Sequence, residues 1–257
     1  MHRMNFLRPL TINEIWQGFM TLAIASSVAD VSKEIGRVMM EGMMNLKVPL
    51  ENEFIEEHDR LFAVAKVTGD HLAVTSHYYS VMSKVIDEYF GGNFHFAPPR
   101  HEKLSLEEAL TDLHRKIGHR LGLTAGMSCV DLGCGIGGVM KDLAPTQANL
   151  IGITIAANEV EIGNKEFHKL GIDFNCRLIE GDCHSMPLDD DSQDAAYAVY
   201  SLKYFPQLDG IMKEVSRILK PGGRFLIYDL IKTEKYDEKN EVHVQVRRMG
   251  KLCTTRN

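Results

Sequence analysis

The sequence predicts an α/β fold with a parallel, doubly wound sheet, and three observations lead to it. The apolar run 127–132 enters a turn with glycines at 133, 135 and 137. Downstream of this turn, strand-like and helix-like segments alternate along the chain. A Pro221-Gly222-Gly223 turn precedes the last strand-like run. Because right-handed crossovers join neighbouring parallel strands, ligands are expected at the carboxyl ends of the strands, where strand order reverses.

The elements follow from apolar periodicity and turn residues. We predict strands near 127–132, 149–154, 174–179, 194–200 and 224–230, and helices near 138–144, 157–170 and 207–219. Ser105 and Glu108 stand in a capping-box pattern, so a further helix is expected from residue 106.

The chain is expected to have two parts. Residues 1–75 carry apolar side chains at roughly helical spacing, which predicts a helical N-terminal extension. Residues 76–257 are expected to form the α/β domain, beginning with an aromatic segment at 76–102. Gly91-Gly92 in that segment predicts a turn between two helical pieces.

Composition limits the function classes. A net charge of −6 gives no basis for a nucleic-acid partner. The odd number of cysteines, five, together with the lack of metal or redox spacing and of a secretion signal, indicates reduced thiols in a cytoplasmic chain without a metal site. No apolar run reaches the roughly 18–20 residues of a membrane span.

The glycine turn reads Asp131-Leu132-Gly133-Cys134-Gly135-Ile136-Gly137. Glycines let backbone N–H groups approach a ligand, and the next helix points its N-terminus at the same place. The pattern differs from the dinucleotide form and resembles motif I of class I S-adenosyl-L-methionine-dependent methyltransferases. The resemblance implies that Asp131, Gly133, Cys134, Gly135 and Gly137 bind the amino-acid end of that cofactor. A tight turn without a ligand is the alternative.

The same resemblance assigns the second strand end to the ribose. Many class I enzymes have an acid there, whereas this chain has Thr154, followed by Asn158 and Glu159. Thr154 or Asn158 is expected to bind the ribose hydroxyls, and Glu159 is the second candidate. A helix-capping role is the alternative for Asn158.

The third strand end is assigned to adenine. Asp182 is expected to accept from the exocyclic amine, and the Cys183 N–H to donate to a ring nitrogen. The alternative is a solvated acidic turn.

A narrower resemblance rests on four segments. They are Asn93-Phe94-His95-Phe96-Ala97 shortly after Tyr89, Ile151-Gly152-Ile153-Thr154-Ile155, Leu219-Lys220-Pro221-Gly222-Gly223, and Thr233-Glu234-Lys235-Tyr236-Asp237-Glu238. Over roughly residues 77–243 the chain resembles the sterol methyltransferase family. The resemblance implies a Rossmann-like fold and methyl transfer from S-adenosyl-L-methionine to a carbon atom of a sterol.

The aromatic segment is the expected substrate wall, because aromatic faces stabilise a carbocation. The residues implied are Tyr78, Tyr89, Phe90, Phe94 and Phe96. Ordinary core packing is the alternative for all of them. His95, between two phenylalanines, is either a base or a structural histidine.

Two tyrosines depart from the family pattern. Tyr200 and Tyr204 stand about where sterol side-chain methyltransferases have an acid and a histidine. A phenol is a much weaker base than a carboxylate. The chain therefore looks more like the nematode branch, which methylates ring C-4, with both tyrosines as candidate catalytic residues.

The resemblance fades after His243. A class I domain closes its sheet with two further strands, so we expect a shortened chain with an exposed edge. Three alternatives stay open: methylation of another lipid or small amine, a non-catalytic cofactor-binding isoform, and peripheral contact with the endoplasmic reticulum membrane. The oligomeric state is not predicted.

Overall fold

A computed structural model describes residues 52–95, 97, 104–205, 208–229 and 237–240. Residues 46–229 form one compact unit, and residues 1–45 and 230–257 form another. The described helices and strands all belong to the first unit. Of the helical extension expected over residues 1–75, residues 1–51 lie outside the described residues.

The sheet of this unit has five parallel strands in the spatial order β3-β2-β1-β4-β5. They are β1 Ser128–Leu132, β2 Asn149–Thr154, β3 Cys176–Glu180, β4 Gln193–Val199 and β5 Leu219–Tyr228. The predicted α/β class and the parallel, doubly wound sheet are confirmed. Strand order reverses between β1 and β4, which opens a crevice at their carboxyl ends.

Six α-helices lie in the described part of the unit. They are α1 Asn52–Thr68, α2 Leu72–Phe90, α3 Leu106–Leu121, α4 Gly138–Leu143, α5 Ala157–Leu170 and α6 Leu208–Ile218. The capping box that begins α3 is present: the Ser105 hydroxyl accepts from the Glu108 N–H, and the Glu108 carboxylate accepts from the Ser105 N–H at 2.8 Å. In the described ranges, no helix is both long and apolar enough to cross a bilayer.

Apolar side chains cover both faces of the sheet. Along β1, Cys129 belongs to the core on one face, whereas Val130 and Leu132 belong to the core on the other. Phe167 of α5 fills the first core, and Ile211 of α6 fills the second; both are fully buried. The three central strands β2, β1 and β4 are buried almost throughout, as expected for a parallel sheet covered on both faces.

The structure corrects two expectations about local structure. The Pro221-Gly222-Gly223 turn lies inside β5 as an irregularity, because Gln193 pairs with Leu219 but Ala195 pairs with Arg224. The strand therefore begins five residues earlier than predicted. The turn at Gly91-Gly92 is present, with Gly91 in the left-handed region, but residues 93–95 are not helical.

Two expectations about chain organisation stay predictions: the boundary between the two parts and the exposed sheet edge. Residue 76, the expected start of the α/β domain, lies inside α2. In the described part of the chain, β5 pairs with β4, and the residues after Asp229 are described only at 237–240.

Candidate functional site

A cleft lies at the carboxyl ends of the strands, where the strand order predicts a ligand site. It holds about 1220 Å³ of empty space, including its open mouth. The loops after β1, β2, β3 and β4 line one side of the cleft, and α2 with the following residues 92–95 lines the other. Ligand pockets commonly combine apolar walls with a few polar groups, and this cleft does so.

Asp131 lies at the floor of the cleft. Its side chain is 2% exposed, and its Oδ2 has no hydrogen-bond partner among the described residues. Burial raises the pKa of Asp131 to about 7, while the neighbouring Tyr197 acts in the opposite direction. A buried carboxyl with one oxygen unpaired favours a cationic ligand group, so Asp131 fits the ammonium of an amino-acid ligand.

The predicted loop glycines divide into two roles. Gly135 faces the cleft: a Cβ there would lie 3.9 Å from Glu159 Oε1. Gly133 also lines the cleft, and its Cβ would lie 2.6 Å from the Cβ of Ser201. Gly137 is not among the lining residues, and its Cβ would lie 2.4 Å from Phe167 Cζ. The structure therefore places Gly137 in the packing of the loop against α5.

Cys134 and Cys183 both line the cleft, as predicted, and both are nearly buried. Burial raises the pKa of the Cys134 thiol well above its usual range, and the Asp131 and Glu159 carboxyls raise it further. Burial also raises the pKa of Cys183 to about 12. Both sulfurs are therefore thiols at neutral pH.

Thr154 and Glu159 meet at the end of β2. The Thr154 hydroxyl donates to Oε2 of Glu159. The Ser83 hydroxyl of α2 shares its proton between the Tyr79 carbonyl oxygen at 2.6 Å and Glu159 Oε1 at 3.0 Å. Glu159 is 4% exposed, and burial raises its pKa, whereas the two hydroxyl donors act in the opposite direction. An acid at this position, lining the cleft, suits the two hydroxyls of a ribose.

Asn158 is not brought into the cleft. Its side-chain amide donates to the carbonyl oxygens of Tyr79 at 3.1 Å and Ser80 at 3.4 Å, both on α2. From the sequence, Thr154 or Asn158 is expected to bind ribose, and Glu159 is the second candidate. The geometry favours Glu159, supported by Thr154, because α5 turns Asn158 toward α2.

Asp182 lies at the end of β3 with a partner that the sequence does not reveal. Its Oδ1 accepts from the His184 backbone N–H at 2.9 Å and from His184 Nδ1 at 2.8 Å. The His184 ring meets Phe205 edge-on, with centroids 5.8 Å apart. Asp182, Cys183, His184 and Phe205 all line the cleft. An acid beside aromatic rings suits a flat heterocycle with an amine.

The aromatic segment contributes through one face of α2. Thr75, Tyr79 and Ile86 line the cleft at helical spacing. Tyr78, predicted to bind substrate, is absent from the lining and packs against Tyr79 with centroids 5.2 Å apart. The missed residue is therefore Tyr79, one position further along the helix.

Among the predicted phenylalanines, Phe94 lines the cleft. Phe90 lies behind it, with the two rings edge-on at 5.4 Å. Phe96 lies outside the described residues, and so does the side chain of Tyr89.

The three predicted catalytic residues do come together. His95, Tyr200 and Tyr204 all line the cleft, and the His95 and Tyr200 rings are 6.1 Å apart. Tyr200 has a φ of 56°, a left-handed conformation that is unusual for a tyrosine. Tyr204 meets Tyr79 edge-on at 6.0 Å, so the two phenols join the loop after β4 to α2.

His95 continues into a row of polar groups that sequence reasoning missed. Its Nε2 lies 2.7 Å from Nε2 of His114 on α3. His114 Nδ1 lies 2.6 Å from Oδ2 of Asp142 on α4. His114 is fully buried, whereas the Asp142 side chain is 27% exposed. No local sequence pattern links these residues, because they come from three separate segments.

Residues 130–227 match the model of a family described as a methyltransferase domain. The matched residues run from β1 to β5, so they include the glycine loop and the strand ends that line the cleft.

Two curated relatives extend this similarity. The chain is 58% identical over 190 residues to the sterol 4-C-methyltransferase strm-1 of Caenorhabditis elegans. This match covers 74% of this chain and 57% of that protein. It is 33% identical over 176 residues to a sterol 24-C-methyltransferase of Yarrowia lipolytica, covering 68% of this chain and 46% of that protein. The chain thus spans about half the length of these relatives.

Among solved structures, the [4+2]-cyclase SpnF superimposes with a TM-score of 0.61 at 25% identity. The match covers 64% of this chain and 62% of the cyclase. The predicted family is confirmed by the relatives together with the matched domain: the chain belongs to the sterol methyltransferase family of class I S-adenosyl-L-methionine-dependent methyltransferases.

Proposed function

We propose that this protein transfers a methyl group from S-adenosyl-L-methionine to a sterol carbon, at ring C-4. One observation carries the proposal: a single cleft joins the buried carboxyls Asp131 and Glu159 to a wall formed by His95, Phe94 and tyrosines. The first part suits a charged cofactor, and the second suits an apolar ring system.

S-adenosyl-L-methionine is the cofactor, and it supplies an electrophilic methyl group on a sulfonium. Asp131 would hold its ammonium, since this carboxyl is buried and its Oδ2 has no partner among the described residues. Glu159 would accept the ribose hydroxyls, held in place by Thr154 and Ser83. Asp182 would accept from the adenine amine. The Gly135 backbone leaves room for the carboxylate end.

The substrate would lie against Phe94, Tyr79 and Tyr204. Aromatic faces attract cations, so this wall would stabilise both the sulfonium and positive charge that develops on the acceptor. Excluding water from this wall would also protect reactive intermediates. The C-4 position is proposed because the nematode relative at 58% identity carries that name.

The test is a calorimetric titration with S-adenosyl-L-methionine, followed by mass spectrometry of products from a sterol panel. The panel should vary in double-bond position and in oxidation state at C-3. We expect binding and a product methylated on the ring. A product methylated on the side chain would overturn the C-4 assignment. Cofactor binding without any product would favour the non-catalytic alternative.

Phe94→Ala separates the two parts of the cleft. We expect it to weaken sterol binding about tenfold or more, because a buried aromatic contact is lost, and to leave cofactor affinity within about twofold. Equal losses for both ligands would indicate that Phe94 supports the fold and does not bind substrate.

We also propose that the corner between α1 and α2 contacts the membrane that supplies the sterol. Val67 is 88% exposed, Val64 is 48% exposed, and Leu72, which also lines the cleft, is 45% exposed. Such a corner would bring the cleft to a bilayer, in a cell at the cytoplasmic face of the endoplasmic reticulum. Val67→Asp should reduce co-sedimentation with phosphatidylcholine vesicles; unchanged sedimentation would contradict the contact.

A further inference from the structure

The wall of the cleft contains one row of hydrogen-bonded groups that leads out of it. His95 lines the cleft, His114 is fully buried behind it, and Asp142 is partly exposed beyond His114. The two contacts along the row measure 2.7 Å and 2.6 Å, both within hydrogen-bond distance. The row therefore joins the cleft to solvent through the protein.

One arrangement, with a single proton on each imidazole ring, satisfies both contacts of the row. An ionised Asp142 only accepts hydrogen bonds, so His114 Nδ1 carries a proton and donates it. In this arrangement the lone pair of His114 is on Nε2, and the His95 Nε2–H donates to it. This tautomer of His95 leaves the lone pair on Nδ1, which no residue in the described part of the chain binds.

The surroundings keep His95 neutral. Burial lowers the pKa of His95 to about 3, and His114 lowers it further, while Asp142 acts in the opposite direction. On the other side of His95 is the Tyr200 ring, stacked in turn on Tyr228 at 5.8 Å. A neutral imidazole is ready to accept a proton but does not retain it.

Methylation of carbon always releases a proton. The new C–CH₃ bond forms as the S–CH₃ bond breaks, and the sulfur keeps that electron pair. One C–H bond of the acceptor must also break, and its electron pair stays on the acceptor. A proton next to a carbocation is strongly acidic, so even a weak base accepts it. In a cleft that excludes water, that proton needs a defined exit.

We infer that the row from His95 through His114 to Asp142 is this exit. His95 Nδ1 takes the proton from the acceptor and passes its Nε2 proton to His114. His114 passes its Nδ1 proton to Asp142, which releases a proton to solvent, and both imidazole rings then turn over to restore the starting tautomers. His95 is the catalytic base, and His114 and Asp142 are positioning residues that complete the route. This inference rests on the proposed carbon methylation.

The Asp142 end has further support from α3. The Thr111 hydroxyl lies 3.2 Å and 3.3 Å from the two Asp142 oxygens and donates to the carboxylate. This bond orients Asp142 toward His114 without adding a charge. Asp142→Asn would keep the shape but lose the negative charge that accepts a proton.

The first test is the tautomer state, read by imidazole ¹⁵N–¹H NMR on the full chain at pH 6. We expect both histidines neutral, with the proton on Nε2 in His95 and on Nδ1 in His114. In Asp142→Asn, we expect the His114 signals to move. An imidazolium, or a His95 proton on Nδ1, would overturn the route whether or not the chain methylates sterols.

The second test is kinetic, with the sterol that the wild-type chain methylates. We expect Asp142→Asn to lower kcat about tenfold and His95→Gln about 100-fold, with the Kd for S-adenosyl-L-methionine unchanged. Asp142→Glu should restore most of the activity. A purely structural role would change thermal stability or Kd without this split.

The exposed pair His168–Asp173 provides a matched control, because it has the same kind of contact, at 2.7 Å, away from the cleft. Asp173→Asn should leave kcat unchanged. If Asp142→Asn equals wild type in kcat, the exit route is wrong. If the wild type yields no methylated sterol at all, the proposed function fails, and the NMR test still decides the proton positions.

Discussion

Asp131 is a buried carboxyl that lowers the stability of the folded chain. Burial raises its pKa from 3.8 to about 7. Between these values, the folded chain without ligand binds a proton that the unfolded chain releases, so stability falls as pH rises through this window. The carboxyl therefore weakens the ligand-free fold, a cost that the proposed contact with a cationic ligand would offset.

We therefore expect Asp131→Asn to unfold at a higher temperature than wild type at pH 8, without ligand, because the amide has no charge to bury. The difference should shrink as pH is lowered to 5. At pH 8 the same variant should bind S-adenosyl-L-methionine about tenfold or more weakly. Thermal unfolding and calorimetry measure the two effects. Unchanged cofactor affinity would contradict the role of Asp131.

Glu159 and Asn158 give a second residue-scale test. Glu159→Gln should weaken S-adenosyl-L-methionine binding about tenfold, because a charge-assisted pair with the ribose becomes neutral. Asn158→Ala should weaken it less, since that amide bonds to α2 carbonyls. Calorimetric titration measures both, and a larger loss in Asn158→Ala would restore the expectation from the sequence.

These neighbouring positions also show where prediction from sequence ends. Residues 158 and 159 are about 100° apart around α5, as Tyr78 and Tyr79 are around α2. The rotation of each helix is set by the loop before it and by packing. A sequence pattern therefore identifies the segment that lines the cleft but not which of two adjacent residues faces it. The His95–His114–Asp142 row was unpredictable for another reason: its members lie on separate segments, with His95 and His114 19 positions apart and His114 and Asp142 28 positions apart.

At the scale of elements, the sequence carries most of the information. The first four strands begin and end within two residues of the prediction, because apolar runs bounded by glycine and polar turns are strong local signals. The fifth strand differs since its pairing with β4 extends across the turn at 221–223, and a register between distant residues has no local signal.

The glycine loop provides the test at this scale. Gly137 has a φ of 81°, and a Cβ would meet Phe167 of α5 at 2.4 Å. We expect Gly137→Ala to lower the free energy of unfolding by about 2 kcal/mol or more, through backbone strain and overpacking. Urea unfolding measures the loss.

Gly135→Ala is the matched variant. Gly135 has a φ of 54° and an open space toward Glu159. We expect a smaller loss of about 1 kcal/mol from backbone strain alone, with a larger effect on cofactor affinity. If both variants lose the same stability and the same affinity, the division of the loop into packing and binding positions is wrong.

At the scale of the whole compact unit, the cleft joins elements that are far apart in sequence. The Ser83–Glu159 bond connects α2 to α5, and Asn158 adds two further bonds to α2. A ligand in the cleft would contact residues of both α2 and α5. The superposition with a [4+2]-cyclase shows that this architecture alone does not fix the reaction, which depends on the side chains in the cleft.

We expect S-adenosylhomocysteine to slow hydrogen exchange together in α2, the loop after β1 and the start of α5, because ligand contacts suppress local opening. The outward part of α6 serves as the internal control and should not change. Mass spectrometry of peptides reads all four regions in one experiment. Protection confined to the loop after β1 would show that α2 does not take part in binding.

The buried cysteines have a chemical consequence. A sulfonium methyl donor is an alkylating agent, and a thiolate is among the best nucleophiles for it. Cys134 and Cys183 line the cleft, yet burial raises both pKa values so far that their sulfurs keep their protons. The apolar setting that packs the loop thus also protects the protein from methylating itself.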